Sequence, residues 1–130
     1  PDHDSAAFIS HAAVALLART GRTPPVLLEM ASSFLPAPDG RPVATVAFTE
    51  AECAAKRRML ACYASQSGAL ESFPVGCESY RAAPRYDFTR PPREGALPYE
   101  TSGRRMTGAR WRELAREALE ALKLPEAPWH

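Results

Sequence analysis

Apolar positions along this chain follow two different periods. From Asp4 to about Arg19, Phe8, Ile9, Ala12, Ala13, Leu16 and Leu17 recur at helical spacing, with Asp2 or Asp4 able to cap the first turn. Gly21, tolerant of positive φ, is the expected stop. "PPVLLEM" then holds a short apolar run, Val26 to Met30, whose length and proline flank suit a buried strand. "VATVAF", Val43 to Phe48, is a second predicted strand, rich in β-branched residues and preceded by the turn pair Asp39-Gly40.

A second helix is predicted from Thr49, because "TEAE" is a capping box: the Thr49 hydroxyl serves the third residue while Glu52 reaches back. Its expected buried stripe is Ala51, Ala55, Met59, Cys62, Tyr63 and Gln66, with Glu52 and Lys56 paired on the wet side and Gly68 closing it. A last helix is predicted from about Gly108 to Leu122, capped by Thr107, with Trp111, Leu114, Ala115, Ala118, Leu119 and Leu122 on one face and Pro125 barring its continuation. Between these helices lie roughly 40 residues, Ser67 to Met106, with five prolines, far beyond the usual 12–15 residue limit for a structureless loop. Phe73, Tyr80, Tyr86, Phe88 and Tyr99 would anchor it as an ordered arm, with "ESYRAA" as a short strand or turn inside it. The pattern divides as residues 1–66 (helix, strand, strand, helix), 67–106 (arm) and 107–124 (helix), parts of one α/β domain. Two or three strands are few for such a sheet, which predicts further strands upstream.

Composition narrows the function classes. The chain has 130 residues, 45% hydrophobic and 24% charged, the range of one globular domain. Sixteen basic against fifteen acidic residues leave a net charge of +1, no field to hold nucleic acid or an anionic membrane. No apolar stretch reaches the roughly 20 residues of a membrane span. Cys53, Cys62 and Cys77 are an odd set without CxxC spacing, which suits a reducing compartment, and the cytoplasm is the expected location.

Candidate chemistry lies at the start. Asp2, His3 and Asp4 crowd two acids and an imidazole at a helix entrance; a neutral imidazole is a common metal ligand, and a carboxylate beside it can orient it. Hydrolytic zinc needs about three protein ligands, so this segment would supply only part of a shell. The plain alternative is a capped helix start stabilised by the macrodipole, with a solvated histidine. His11, two turns on, is about 12 Å along the axis from His3, too far to share a metal, and reads as a buried or partner-facing histidine. Lys56, Arg57 and Arg58 read as a wet helix side. Tyr63 is expected in the core. Arg81, Arg85 and Arg90 could hold an anionic part of a substrate or pin the arm by ion pairs.

"PDHDSAAFISHAA" resembles the second metal-binding motif of the LmbE-like, or PIG-L, zinc-dependent de-N-acetylases, whose leading His would stand just before Pro1. "KRRMLACYASQ" resembles the family's Lys-led helix ending in Ser-Gln, and "ESYRAA" its Glu, aromatic, Arg segment. "YDFTRPPREGALPYE" with "MTGARWRELA" resembles the C-terminal arm and helix of one bacterial branch, so the likeness runs collinearly over nearly the whole chain. The resemblance implies a Rossmann-like three-layer α/β/α fold, of which this would be the C-terminal portion. It implies hydrolysis of an acetamide on an N-acetylated sugar, with Zn2+ or another divalent metal. By the same resemblance His3 is the metal ligand, and Asp2 is the acid that supports the motif's leading His, a candidate general acid for the leaving amine.

The family's N-terminal Pro-His-Pro-Asp-Asp-Glu motif, which carries the other ligands and the general base, has no counterpart in these residues. An upstream half of the same enzyme is therefore an expected partner, and a homo-oligomer through the arm at 67–106 a possible one. The other reading of the sequence is a non-catalytic carbohydrate-binding or protein-interaction domain of the same descent.

Overall fold

The computed structural model describes residues 2–30, 44–71, 73–92, 94–101 and 105–126. The Asp39-Gly40 turn, Val43 and His130 lie outside the described residues. The protein is of mixed α/β composition and divides into two compact units, one from the described residues of Pro1–Leu27 and Pro84–His130, the other Leu28–Ala83.

The first unit is built on two helices. α1 spans Asp2–Arg19, alanine-rich, with Asp2 and Asp4 in its first turn where the macrodipole favours acids, and Gly21 beyond its end at φ 74°. The C-terminal helix, Gly108–Leu122 and here α5, has the expected limits: the Thr107 hydroxyl accepts the backbone N–H of Arg110 at 3.1 Å. Its last turn is closed by Lys123 in the left-handed region at φ 53°, with the Leu124 N–H donating back to the Leu119 carbonyl at 2.9 Å, a Schellman end. Arg19 donates to the carbonyls of Leu122 (2.8 Å) and Lys123 (3.1 Å), so the end of α1 caps the end of α5. At the other end the Trp111 indole N–H donates to the Ser5 hydroxyl at 3.0 Å. The two helices therefore lie side by side in the same direction.

Between them sits the core: Ala12, Phe88, Ala115, Leu119 and Leu124, with Phe8, Leu16, Tyr86 and Trp111 packed against it. Phe88 meets Phe8 edge-on at 5.4 Å, and His11 stands edge-on to both Tyr86 and Phe88, half-buried as a helix histidine facing its own core. Of the aromatic anchors expected of the arm, Phe88 sits in this core and Tyr86 packs against it, whereas Phe73 and Tyr80 belong to the other unit. The Asp87 carboxylate accepts both the N–H (2.9 Å) and the hydroxyl (2.6 Å) of buried Thr89, and Arg116 donates to the Thr89 carbonyl at 2.9 Å, tying the segment to α5. A short helix, α4 at Pro98–Thr101, completes this unit.

The second unit holds a three-stranded sheet in the order β1-β3-β2, antiparallel at both pairings: β1 Leu28–Met30, β2 Ala44–Ala47 and β3 Cys77–Ala82. "ESYRAA" is thus the central strand. The run from Val26 shortens to Leu28, since Pro24 and Pro25 precede it and Val26 and Leu27 make no ladder pair.

α2, Glu50–Ala61, begins on the expected capping box, with Glu52 accepting the Thr49 N–H at 2.8 Å. The rest of its expectation is corrected. No residue of α2 is buried; Met59 is 68% and Tyr63 60% exposed. The helix stops at Ala61, and Tyr63, at φ −96° and ψ 56°, leaves helical geometry, so the helical period does not extend to Tyr63 or Gln66. A 3₁₀ turn, Ala64–Gln66, leads into α3, Ser67–Leu70, which contains Gly68 instead of ending at it. Glu52 and Lys56 do not pair, because Thr49 takes Glu52 and Glu78 takes Lys56.

Candidate functional site

Asp2 and His3 are exposed in the first turn of α1, and Asp4 beside them is half-buried. Among the described residues no three His, Cys, Asp or Glu side chains gather into a group that could hold a metal ion. His3 has the right donor chemistry for zinc, and the described residues offer it as one ligand of the three or so required.

Near that first turn the fold gathers Tyr99, expected from the sequence as an anchor of the arm, with Glu100 and Arg112, which the sequence does not single out. The Tyr99 hydroxyl, on α4, is pushed up chiefly by burial and further by the carboxylates of Asp4 and Glu100, with Arg112 opposing. Glu100 accepts the backbone N–H groups of Leu97 and Gly108, each at 2.7 Å, and these bonds hold its carboxyl below its ordinary value. Gly108 makes this approach possible: a Cβ there would stand 2.7 Å from Leu97 Cδ1 and 2.9 Å from Arg112 Nη1. The only sequence signal for Glu100 is a glutamate three residues after Leu97, the spacing of half a capping box.

Two clefts flank these groups. One, of about 490 Å³, is lined by Pro91, Glu94, Gly95, Leu97, Glu100 and Arg112. The other, of about 420 Å³, lies between α1 and α5, with Asp2 the one charged residue in a lining that includes Phe8, Ile9, Met106, Trp111 and Leu114. Helical spacing assigns Ile9 and Leu114 to buried faces; both are exposed in this cleft.

In the second unit, the polar residues of the strand are all engaged. Glu78 and Tyr80 share one face of β3, and Lys56 Nζ donates to Glu78 Oε1 at 2.7 Å while the Tyr80 hydroxyl donates to the other carboxylate oxygen. Lys56 also stands 5.0 Å from the Phe48 ring centre. These donors hold the Glu78 carboxyl down, and the carboxylate in turn pushes the Tyr80 hydroxyl up. On the opposite face Arg81 Nε donates to Glu29 Oε1 at 2.5 Å across a register pair, and the Thr45 and Ser79 hydroxyls bond at 3.1 Å.

Of the three arginines, Arg81 is thus held by Glu29 and Arg90 pairs with Asp87 at 3.3 Å, while Arg85 is exposed. Among the described residues no helix is long and apolar enough to cross a membrane. No protein-family model matches the chain, and no curated protein or solved structure matches it.

Proposed function

We propose that these residues form the C-terminal part of a zinc-dependent de-N-acetylase of the PIG-L or LmbE-like kind, hydrolysing the acetamide of an N-acetylated sugar. One observation carries the reading. The polar side chains that give two separate segments their resemblance meet in space: Lys56, which opens the Lys-led segment, is bonded to Glu78 of the Glu, aromatic, Arg segment, whose Tyr80 donates to the same carboxylate. On this reading the antiparallel sheet is an outlying portion of a Rossmann-like three-layer fold.

His3 supplies one metal ligand from a rigid helix start, exposed and open to ligands from outside the described residues. A bound zinc ion, or another divalent metal, would acidify its water and polarise the acetamide carbonyl. Asp2, one residue away, would steady a neighbouring imidazole or give a proton to the departing amine. The C–N bond breaks, acetate keeps the water oxygen, and the amine leaves protonated.

The test is the zinc content and acetate release of the native-length protein with and without His3→Ala. His3 is exposed, so the variant should keep its fold while losing stoichiometric zinc and activity; unchanged zinc content defeats the assignment. The aromatic cleft beside Asp2 also favours a non-catalytic carbohydrate-binding domain, which would show sugar binding without acetate release in zinc-loaded protein.

A further inference from the structure

We infer that the cleft between α1 and α5 receives an apolar alkyl or aryl aglycone of the sugar substrate, an inference that rests on the de-N-acetylase reading above. The cleft has the size of a small-molecule site, about 420 Å³. Its lining is apolar except at Asp2 and Ser5, and Ser5 is already engaged by the Trp111 indole. That bond, with the edge and tilted contacts of Trp111 to Phe8 and Phe88 at 6.1 Å each, fixes the ring as a wall. Ile9, 64% exposed, and Leu114, 38% exposed, present alkyl groups to this space.

Orientation follows from Asp2. It is the one charged group of the lining, and in the proposed reaction it serves the amine side of the amide. The sugar that carries the amine therefore stands at the Asp2 end, and whatever the sugar bears extends along Ile9, Trp111 and Leu114. A charged or strongly hydrated substituent would lose its water there without a partner, whereas an apolar one gains by burial. The cleft is thus a specificity element that adjoins the reacting centre at Asp2.

The test titrates the native-length protein with three probes, each below its micelle concentration, and reads tryptophan fluorescence. The probes are N-acetylglucosamine, octyl 2-acetamido-2-deoxy-β-D-glucopyranoside and octyl β-D-glucopyranoside. The octyl acetamide should bind at least tenfold tighter than either of the others, and Ile9→Asp or Leu114→Asp should erase its advantage over N-acetylglucosamine. Both side chains are exposed, so at least one variant will fold, as unchanged circular dichroism will verify. Equal binding of the octyl acetamide and N-acetylglucosamine overturns the inference, as does an octyl preference that survives both substitutions. Equal binding of the two octyl compounds overturns its link to an amide substrate. Failure of the enzymatic reading has a different signature: no acetate is released while the tenfold preference persists.

Discussion

The indole N–H of Trp111 reaches the hydroxyl of Ser5 at 3.0 Å, joining α5 to the helix turn that carries Asp2 and His3 across 106 positions of sequence. A neutral hydrogen bond of this kind contributes about 1 kcal/mol net. Trp111→Phe and Ser5→Ala should each destabilise the first unit, and the double variant should fall short of their sum by about 1 kcal/mol. Urea unfolding followed by circular dichroism checks this. Strict additivity would show that the bond contributes nothing in solution.

Acid and alkali should both weaken the protein. In the folded state Glu78 titrates below its ordinary 4.5 because Lys56 and Tyr80 donate to it, and Asp87 below 3.8 because Thr89 does. Stability from such groups is complete above the unfolded pKa and is lost as pH falls through the folded one. Tyr80 and Tyr99 lie above their ordinary 10.0, the first through its bond to Glu78 and the second through burial, so their contribution is complete below that value and lost as pH rises through the folded pKa. The urea midpoint should therefore fall below about pH 4.5 and above about pH 10, from a plateau between. All three cysteines lie in the Leu28–Ala83 unit, so their reaction with an acid-tolerant disulfide reagent reports that unit alone. There, Glu78→Gln should flatten both limbs; a profile unchanged by that substitution would contradict the assignment.

Two glycines in helices should respond to alanine with opposite signs. At Gly68, in α3, an added methyl meets nothing within 4 Å, so Gly68→Ala should stabilise its unit by about 0.5 kcal/mol through loss of unfolded-state freedom. At Gly108 the same methyl would stand 2.7 Å from Leu97 and 2.9 Å from Arg112, forcing both aside. Gly108→Ala should cost about 1 kcal/mol, the low end for overpacking, because both obstacles are flexible side-chain ends. Thiol labelling reads the first and tryptophan fluorescence the second, since the described tryptophan is in the other unit. Equal effects at the two sites would refute the packing argument.

Local signals were the legible part of this sequence. The Thr49–Glu52 box, the Thr107 cap and the positive-φ stop at Gly21 depend on atoms a few residues apart, and each forms as its residues dictate. The three-and-four spacing likewise marked α1 and α5, because both bury a face against one core. The tertiary structure alone decided the rest. The stripe on α2 is apolar yet stays open, because burial depends on what is packed opposite a face and no helical period encodes that. Lys56 bonds to Glu78 instead of Glu52 because strand β3 comes within 2.7 Å of it, a partner 22 positions away. The cleft, and the gathering of Tyr99, Glu100 and Arg112 near the first turn of α1, exist only once distant segments have docked. Sequence determined that two acids and an imidazole stand together at the start of α1; folding determined what surrounds them.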